Sequence, residues 1–362
     1  MRRAVAQQRV GIRDVAREAG VSVTTVSHIL NDVESARASD ETRERVKTTA
    51  ARLGYAPNRI ARGLRRQQSD MIGLLSEEIA TTPHAGRIIL GAQEAARARG
   101  LTLIIINTTP NQEDIDRDVQ SLLRNQVDGV LYATMYHKEV DVPSALAAVP
   151  TVLIDASDRA RRVPSVVPDE QDGARTAVLE LLRAGHRRIG FATNSDDVPA
   201  TRGRLAGYTA ALSSAGIAVD PSLIVSHESE TPGGHLAALE LLDRADRPTA
   251  LFCYNDRMAM GAYRAAAELG LRIPDDLSVI GFDNQELIAE GLFPALTTVA
   301  LPHFEMGAWA LDQLSELIGA RSSGEDAEER GDDEAFEPAV LDCLVVRRSS
   351  VAAPPSGPGS AQ

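Results

Sequence analysis

From Met71 to Phe282 short β-rich apolar runs alternate with amphipathic helical segments, and this alternation restricts the fold more than any other feature of the chain. The first set reads Met71–Leu75, a helix to Arg99, Leu101–Asn107, a helix to Gln126, Gly129–Ala133 and Thr151–Asp155. A second set reads Arg188–Thr193, a helix from Arg202 to Ala215, Leu223–Ser226, a helix ending near Leu242, Thr249–Tyr254, a helix to Leu269 and Leu277–Phe282. Strand and helix alternating at this spacing predict an α/β body of two doubly wound parallel-sheet subdomains.

Ligands of open parallel sheets lie outside the carboxyl ends of the strands, so polar residues at those ends are the candidates to examine. Asp155, Asn194, Asn255, Asp256 and Asp283 fall there.

The segment ahead of this body has another periodicity. Ile12, Val15, Ala16 and Ala19 share one helical face, Gly20 permits a left-handed turn, Ser22 can cap a second helix, and Val26, Ile29 and Leu30 return an apolar face to the first. This is the pattern of an all-α helix-turn-helix domain. Val23, Thr24, Thr25, Ser27 and His28 then lie at the start or on the outer face of the second helix, short enough to approach base edges in a major groove. A generic three-helix bundle with solvated Thr and Ser would show much of the same pattern. A third helix is expected from Ser39, with Asp40 and Glu41 in its first turn and Gly54 at its end. Beyond it, Asn58 to Arg66 is rich in Arg with a narrow apolar stripe, too short to be a stable helix alone.

Charge divides the chain at the same place. Residues 1–66 hold 14 Lys and Arg against 7 Asp and Glu, while the other 296 hold 24 against 44, within a net charge of -13. A basic head on an acidic body confines nonspecific contact with phosphates to one surface.

Two stretches bear a family signature. D-V-A-x-x-A-G-V-S-x-x-T-V-S-x-x-L-N at Asp14–Asn31 and G-Y-x-P-N-x-x-A-R-x-L at Gly54–Leu64 resemble the lactose-repressor/galactose-repressor family of transcriptional regulators. In the body, L-x-x-x-G-H-R-R-I-G-F at Leu181–Phe191, R-L-A-G-Y at Arg204–Tyr208, N-D-x-M-A-M-G at Asn255–Gly261 and P-D-D-L-S-V-I-G-F-D-N at Pro274–Asn284 extend it. The resemblance implies a periplasmic-binding-protein-like body and a repressor that binds a palindromic operator in double-stranded DNA as a homodimer. Its implied control is a small carbohydrate effector held between the subdomains. A non-sugar metabolite such as a nucleobase is the alternative effector, and a solute-binding or enzymatic α/β domain the alternative for the body.

The resemblance also implies site residues. For DNA these are Val23, Thr24, Thr25, Ser27, His28, Asn31, Asn58, Arg59, Arg62 and Leu64, the last as a minor-groove wedge of a hinge helix. His28 stands where the family most often has Arg, and Gly63 lowers helix propensity in the hinge by roughly 0.8–1 kcal/mol relative to Ala. For the effector they are His84, Asp155, Arg204, Asn255 and Asp283, with the Arg204 fork suited to vicinal hydroxyls. Against this stand structural roles: Asn255 and Asp283 as helix caps, Arg204 paired with an Asp across the cleft, His84 as a cap, and His186 as a turn residue.

The expected division is 1–57 as headpiece, 58–66 as hinge and 67–350 as effector-binding and dimerisation domain, with 351–362 as a disordered tail. Within the body one subdomain is expected at 67–162 and 296–322, the other at 163–295 and 338–350. The acidic stretch from Glu325 to Glu337 reads as a solvated loop ahead of a strand Val340–Val346. No G-x-S-x-G, phosphate loop or H-E-x-x-H occurs, so no enzyme is indicated. Neither a cofactor nor a metal is expected, since Cys253 and Cys343 lie far apart in apolar stretches. With no apolar run of spanning length and no export signal, the expected location is the cytoplasm, with no membrane partner.

Overall fold

The computed structural model describes residues 10–30, 38–55, 68–82, 86–323 and 335–355. Contacts divide the chain into two units, Met1–Ser69 and Asp70–Gln362.

In the first unit, α1 (Ile12–Ala19) ends at Gly20, whose φ of 66° is the left-handed conformation that glycine adopts without a Cβ penalty. Ser22 Oγ accepts from Thr25 N at 3.0 Å and so opens α2 (Val23–Leu30). Ser39 caps α3 (Asp40–Leu53) through Thr42 N, and Gly54 closes it at φ 66°. Val15, Ala16, Ala19, Val26, Ile29, Val46 and Ala50 form one small core. The three-helix expectation thus holds, caps included.

The second unit holds two parallel sheets. In the larger, β1 (Met71–Glu77), β2 (Thr102–Thr108), β3 (Gly129–Val140), β4 (Thr151–Asp158), β5 (Ser165–Pro168) and β11 (Ala339–Leu341) run in the order β11-β5-β4-β3-β1-β2. Alternate residues feed the two faces. Ile72, Leu74, Leu131 and Ile154 pack with α4 (Gly86–Ala98) and α11 (His303–Ser323), while Leu75, Val130, Tyr132 and Leu153 pack with α5 (Gln112–Arg124).

The smaller sheet runs β7-β6-β8-β9, from β6 (Ile189–Asn194), β7 (Ile224–His227), β8 (Ala250–Cys253) and β9 (Ser278–Ile280). Its core takes in α6 (Glu170–Arg183), α7 (Pro199–Ser214), α8 (Thr231–Leu242), α9 (Asp256–Glu268) and the short α10 (Glu286–Ala289). The crossing of α6 and α7 is close at Gly207, where a Cβ would stand 2.2 Å from the Gln171 carbonyl oxygen.

Several expected boundaries are corrected. β5 and β11 complete the first sheet, so residues 165–168 and 339–341 leave the second subdomain. β10 (Thr298–Ala300) runs beside the second sheet through bridges from Ile280 to Thr297 and from Asp283 to Ala300, so 296–300 leaves the first. The single strand expected at Val340–Val346 is two, because β12 (Leu344–Val346) pairs antiparallel with β10. The helices α6 and α11, absent from the expected alternation, follow directly on crossings between the sheets at residues 168–170 and 300–303.

The chain is also ordered past residue 350. Ala352 donates its N–H to Ser278 Oγ at 3.0 Å and its carbonyl meets His186 Nε2 at 2.9 Å, while His186 Nδ1 meets Thr249 Oγ1 at 2.8 Å. The tail expected to be disordered from residue 351 is therefore anchored through Ala352, and its remainder, 356–362, lies outside the described residues. His186 has the structural role open to it. Residues 324–334 of the acidic stretch lie outside the description, but Phe336 N donates to the Arg161 carbonyl at 2.9 Å, which ties the end of that stretch to the body.

Candidate functional sites

On α2 the capping geometry sorts the five described DNA candidates. Val23 is 41% exposed and Thr24 is exposed, so both stand clear of the helical core. Thr25 is half-buried, with its hydroxyl 2.8 Å from Ser22 Oγ, so it shares the cap rather than standing free. Ser27 and His28 are half-buried along the same helix. Asn31, Asn58, Arg59, Arg62 and Leu64 lie outside the described residues, as does His84.

In the second unit the carboxyl ends of β3, β4, β5 and β6 meet the start of α6, the middle of α7 and the segment after β9. β3 and β4 slip register between Ala133 and Lys138, which bulges Thr134–His137 out of the ladder. Opposite the bulge Asp155 takes a φ of 56°, a conformation that Asp tolerates better than most residues, and Thr134 Oγ1 donates to its carbonyl at 2.7 Å. Asp155 is 2% exposed and its Oδ1 has no partner. Burial, reinforced by the negative charges of Glu170 and Asp283, pushes its carboxyl well above the usual range.

Arg204, projecting from α7 and 3% exposed, is the centre of the cluster. Its Nε donates to Glu170 Oε2 at 2.7 Å, one terminal nitrogen lies 3.4 Å from both Glu170 Oε1 and Asp283 Oδ1, and the other donates to the Tyr254 carbonyl. Phe282 and Tyr254 cover its faces, with ring centroids 3.9 and 4.3 Å from the guanidinium carbon. Burial works against the guanidinium charge, but Glu170 foremost more than offsets this and holds it protonated. The fork expected to face a ligand is filled by protein groups, and the carboxylate filling it is Glu170 rather than an Asp alone.

Asn255 acts as the cap: its Oδ1 accepts from Met258 N at 2.8 Å and its Nδ2 donates to the Ser229 carbonyl at 2.9 Å. Both halves of its amide are in use. Asp283 is not a cap; it sits at φ 98° and accepts from Gln285 Nε2 at 3.0 Å while facing Arg204.

Two residues of the cluster, Glu170 and His137, and a buried threonine of β6 were not singled out from the sequence. Glu170 begins α6 just past the end of β5, where the rule of strand carboxyl ends would have found it had β5 been recognised. Thr193, near the end of β6, keeps a buried hydroxyl without a partner. His137 sits on the bulge, Nδ1 buried and unpartnered, its pKa lowered to about 4 by burial and by the charges of Arg204 and Arg202. Nothing in the sequence marks that bulge. A cavity of about 630 Å³ opens beside Asp283, lined by Arg87 and by Leu301, His303 and Leu344 of the crossing segments. Among the described residues no group of His, Cys, Asp or Glu could hold a metal ion.

With a helix-turn-helix and a two-sheet body in place, the comparisons decide the family. Residues 11–58 match the model for bacterial regulatory proteins of the lacI family, and 178–351 the model for a periplasmic binding protein-like domain. The ribose operon repressor of Haemophilus influenzae is 34% identical over 341 residues, covering 94% of this chain and 98% of that protein. The chain belongs to the lacI family. Two solved members share its fold along nearly the whole length. The lac repressor dimer bound to operator and the anti-inducer ONPF is 29% identical, covers 96% of this chain and 100% of its own, and has a TM-score of 0.75. The complex of the transcriptional regulator CelR with cellobiose is 30% identical, with coverage of 94% and 100% and a TM-score of 0.65. This lacI-family chain is accordingly a DNA-binding transcriptional repressor by descent, not an enzyme. No helix among its described residues is long and apolar enough to cross a membrane.

Proposed function

We propose that this lacI-family protein is a cytoplasmic repressor that grips a palindromic operator as a homodimer and is controlled by a small carbohydrate in the cleft between its two sheets. The observation that carries the effector half is a pair of buried, unpartnered polar atoms around the β3–β4 bulge, Asp155 Oδ1 and His137 Nδ1, beside the Arg204 cluster. Buried polar groups left unpaired cost about 1–3 kcal/mol each, so a ligand that pairs them gains affinity. A sugar, with donors and acceptors on adjacent carbons, suits such a set.

The cellobiose complex and the ribose operon repressor among the relatives support a sugar, while PurR repressors at 33–35% identity keep a nucleobase as the second reading. The dimer seen on operator in the lac repressor supports the assembly. Val23 and Thr24 read bases, joined by Ser27 and His28 and by Asn31, Asn58, Arg59, Arg62 and Leu64. Asp155 and Asp283 meet the effector directly; Arg204 and Asn255 hold the walls. Effector binding changes the relation of the two sheets, and through the segments that cross between them at 168–170, 300–303 and 341–344 this biases operator affinity.

The test is a thermal-shift panel of neutral monosaccharides and disaccharides, with ribose and cellobiose included and nucleobases alongside, followed by gel shifts on a palindromic operator. A sugar that both raises the melting temperature and changes operator affinity supports the reading. A response confined to nucleobases would replace the carbohydrate.

A further inference from the structure

Arg204 is the cation at the centre of the cleft: all three of its nitrogens are engaged, by Glu170 and the Tyr254 carbonyl, with Asp283 3.4 Å away, while two rings cover its faces. Of the other described cations around the cluster, Lys138 is paired with Glu77, Arg202 with Asp197 and Arg87 with Glu286. His137, depressed to about 4, is neutral near physiological pH. Among the described residues, what the cleft leaves unpaired is therefore a carboxyl oxygen of Asp155 and an imidazole nitrogen of His137, neither of them a positive charge.

We infer that Glu170 sets the charge specificity of this cleft: by occupying the guanidinium fork of Arg204 it closes the place where a carboxylate or phosphate would dock and restricts the effector to uncharged polyhydroxyl compounds. The inference rests on the effector reading above. An anion entering this cleft meets Glu170 and Asp283, two carboxylates that share the single charge of Arg204, so it adds a third negative charge out of water. A neutral polyol meets the same oxygens as hydrogen-bond acceptors. Glu170 does not have to touch the ligand to impose this; it acts by withholding Arg204.

Two arms test it on the full chain. In the first, wild-type protein is titrated with matched pairs, ribose against ribose 5-phosphate and glucose against glucuronate. The neutral member of any pair that binds is expected to be favoured on the order of a hundredfold. An anionic member that binds as tightly as its neutral partner overturns the inference. In the second arm, Glu170→Ala vacates the slot on Arg204, and acetate should raise its melting temperature more than chloride at equal ionic strength. Wild type and Glu170→Ala/Arg204→Met should show no such preference. Acetate stabilising wild type as strongly, or failing to distinguish Glu170→Ala from the double variant, overturns the inference. If Glu170→Ala does not fold, Glu170→Gln takes its place in the pair titrations, where the preference for the neutral member should narrow at least tenfold. If no sugar of either charge binds while acetate behaves as expected, the carbohydrate reading fails and the blocking role of Glu170 stands.

Discussion

The outer face of α2 and the cleft of the body present opposite solutions to placing polar side chains for recognition. On α2 the residues proposed to meet DNA, Val23 and Thr24, are short and exposed and lie outside the small core of the head. In the cleft Arg204, Glu170 and Asp155 are almost wholly out of water, and the charges of the first two are held by each other. DNA arrives with its own charge and solvent, so its reader can be inexpensive to fold. An enclosed small ligand needs polar groups already stripped of water, and these must be sustained by partners when the ligand is absent. Substitutions should thus separate binding from stability on α2 and entangle them in the cleft.

The largest expected effect is at Arg204. Arg204→Ala leaves Glu170 buried beside Asp283 without its cation, which should destabilise the second unit by about 3–5 kcal/mol. Because burial already raises the pKa of Glu170, the variant can neutralise that residue by protonation, so the loss should be smaller at pH 5 than at pH 8. Denaturant melts at the two pH values measure this. A loss within about 0.5 kcal/mol, the range of ordinary surface substitutions, would show that the cluster is not structural and would remove the contrast with α2.

Asp155 comes next, with the opposite sign. Its carboxyl is pushed up first by burial and then by Glu170, so the folded state holds its proton more tightly than the unfolded chain does. That contribution to stability is present below the ordinary carboxylate range and is lost as pH rises through the raised value. Asp155→Asn has no such loss. It should melt above wild type at pH 8, by about 1–3 kcal/mol, with the difference closing towards pH 4. Equal melting temperatures at pH 8 would mean that the orphaned oxygen carries no penalty.

Thr24→Ala should show the other half of the contrast. Discrimination between operator and nonspecific DNA should fall by about 1–3 kcal/mol in gel shifts, while thermal stability stays within about 0.5 kcal/mol of wild type. A parallel fall in nonspecific binding would assign Thr24 to the phosphate backbone instead.

How far the sequence could be read follows from the same contrast. The head was legible to its caps because Gly20, Ser22, Ser39 and Gly54 act on neighbours three or four residues away. The alternation of the body was legible too, since each strand and helix carries its own periodicity. What periodicity does not reveal is which sheet a short strand joins. Ser165–Pro168 and Ala339–Leu341 are a few residues each, and they pair across about 170 positions of sequence. Missing β5 hid Glu170, and with it the partner that changes Arg204 from a free fork into a filled one. Asn255 was named as both ligand and cap, and only the distances to Met258 and Ser229 show that both sides of its amide are occupied.

The smallest effect is expected at Ser39, which tests whether the head's economy extends beyond its reading face. Ser39 Oγ accepts from Thr42 N at 3.3 Å and lies 3.0 Å from Thr42 Oγ1, so the cap is a long contact shared between two groups. Ser39→Ala removes the acceptor that opens α3, at a cost of about 0.5–2 kcal/mol, with the length of the contact placing it at the low end. Since Val46 and Ala50 of α3 complete the core beneath α2, the loss should appear as faster amide exchange across both helices in the full chain. Operator discrimination should stay unchanged, because no residue of the reading face is altered. If discrimination fell as far as in Thr24→Ala, the rigidity of α2 would be part of its readout, and the face would be less independent of the fold than its exposure indicates.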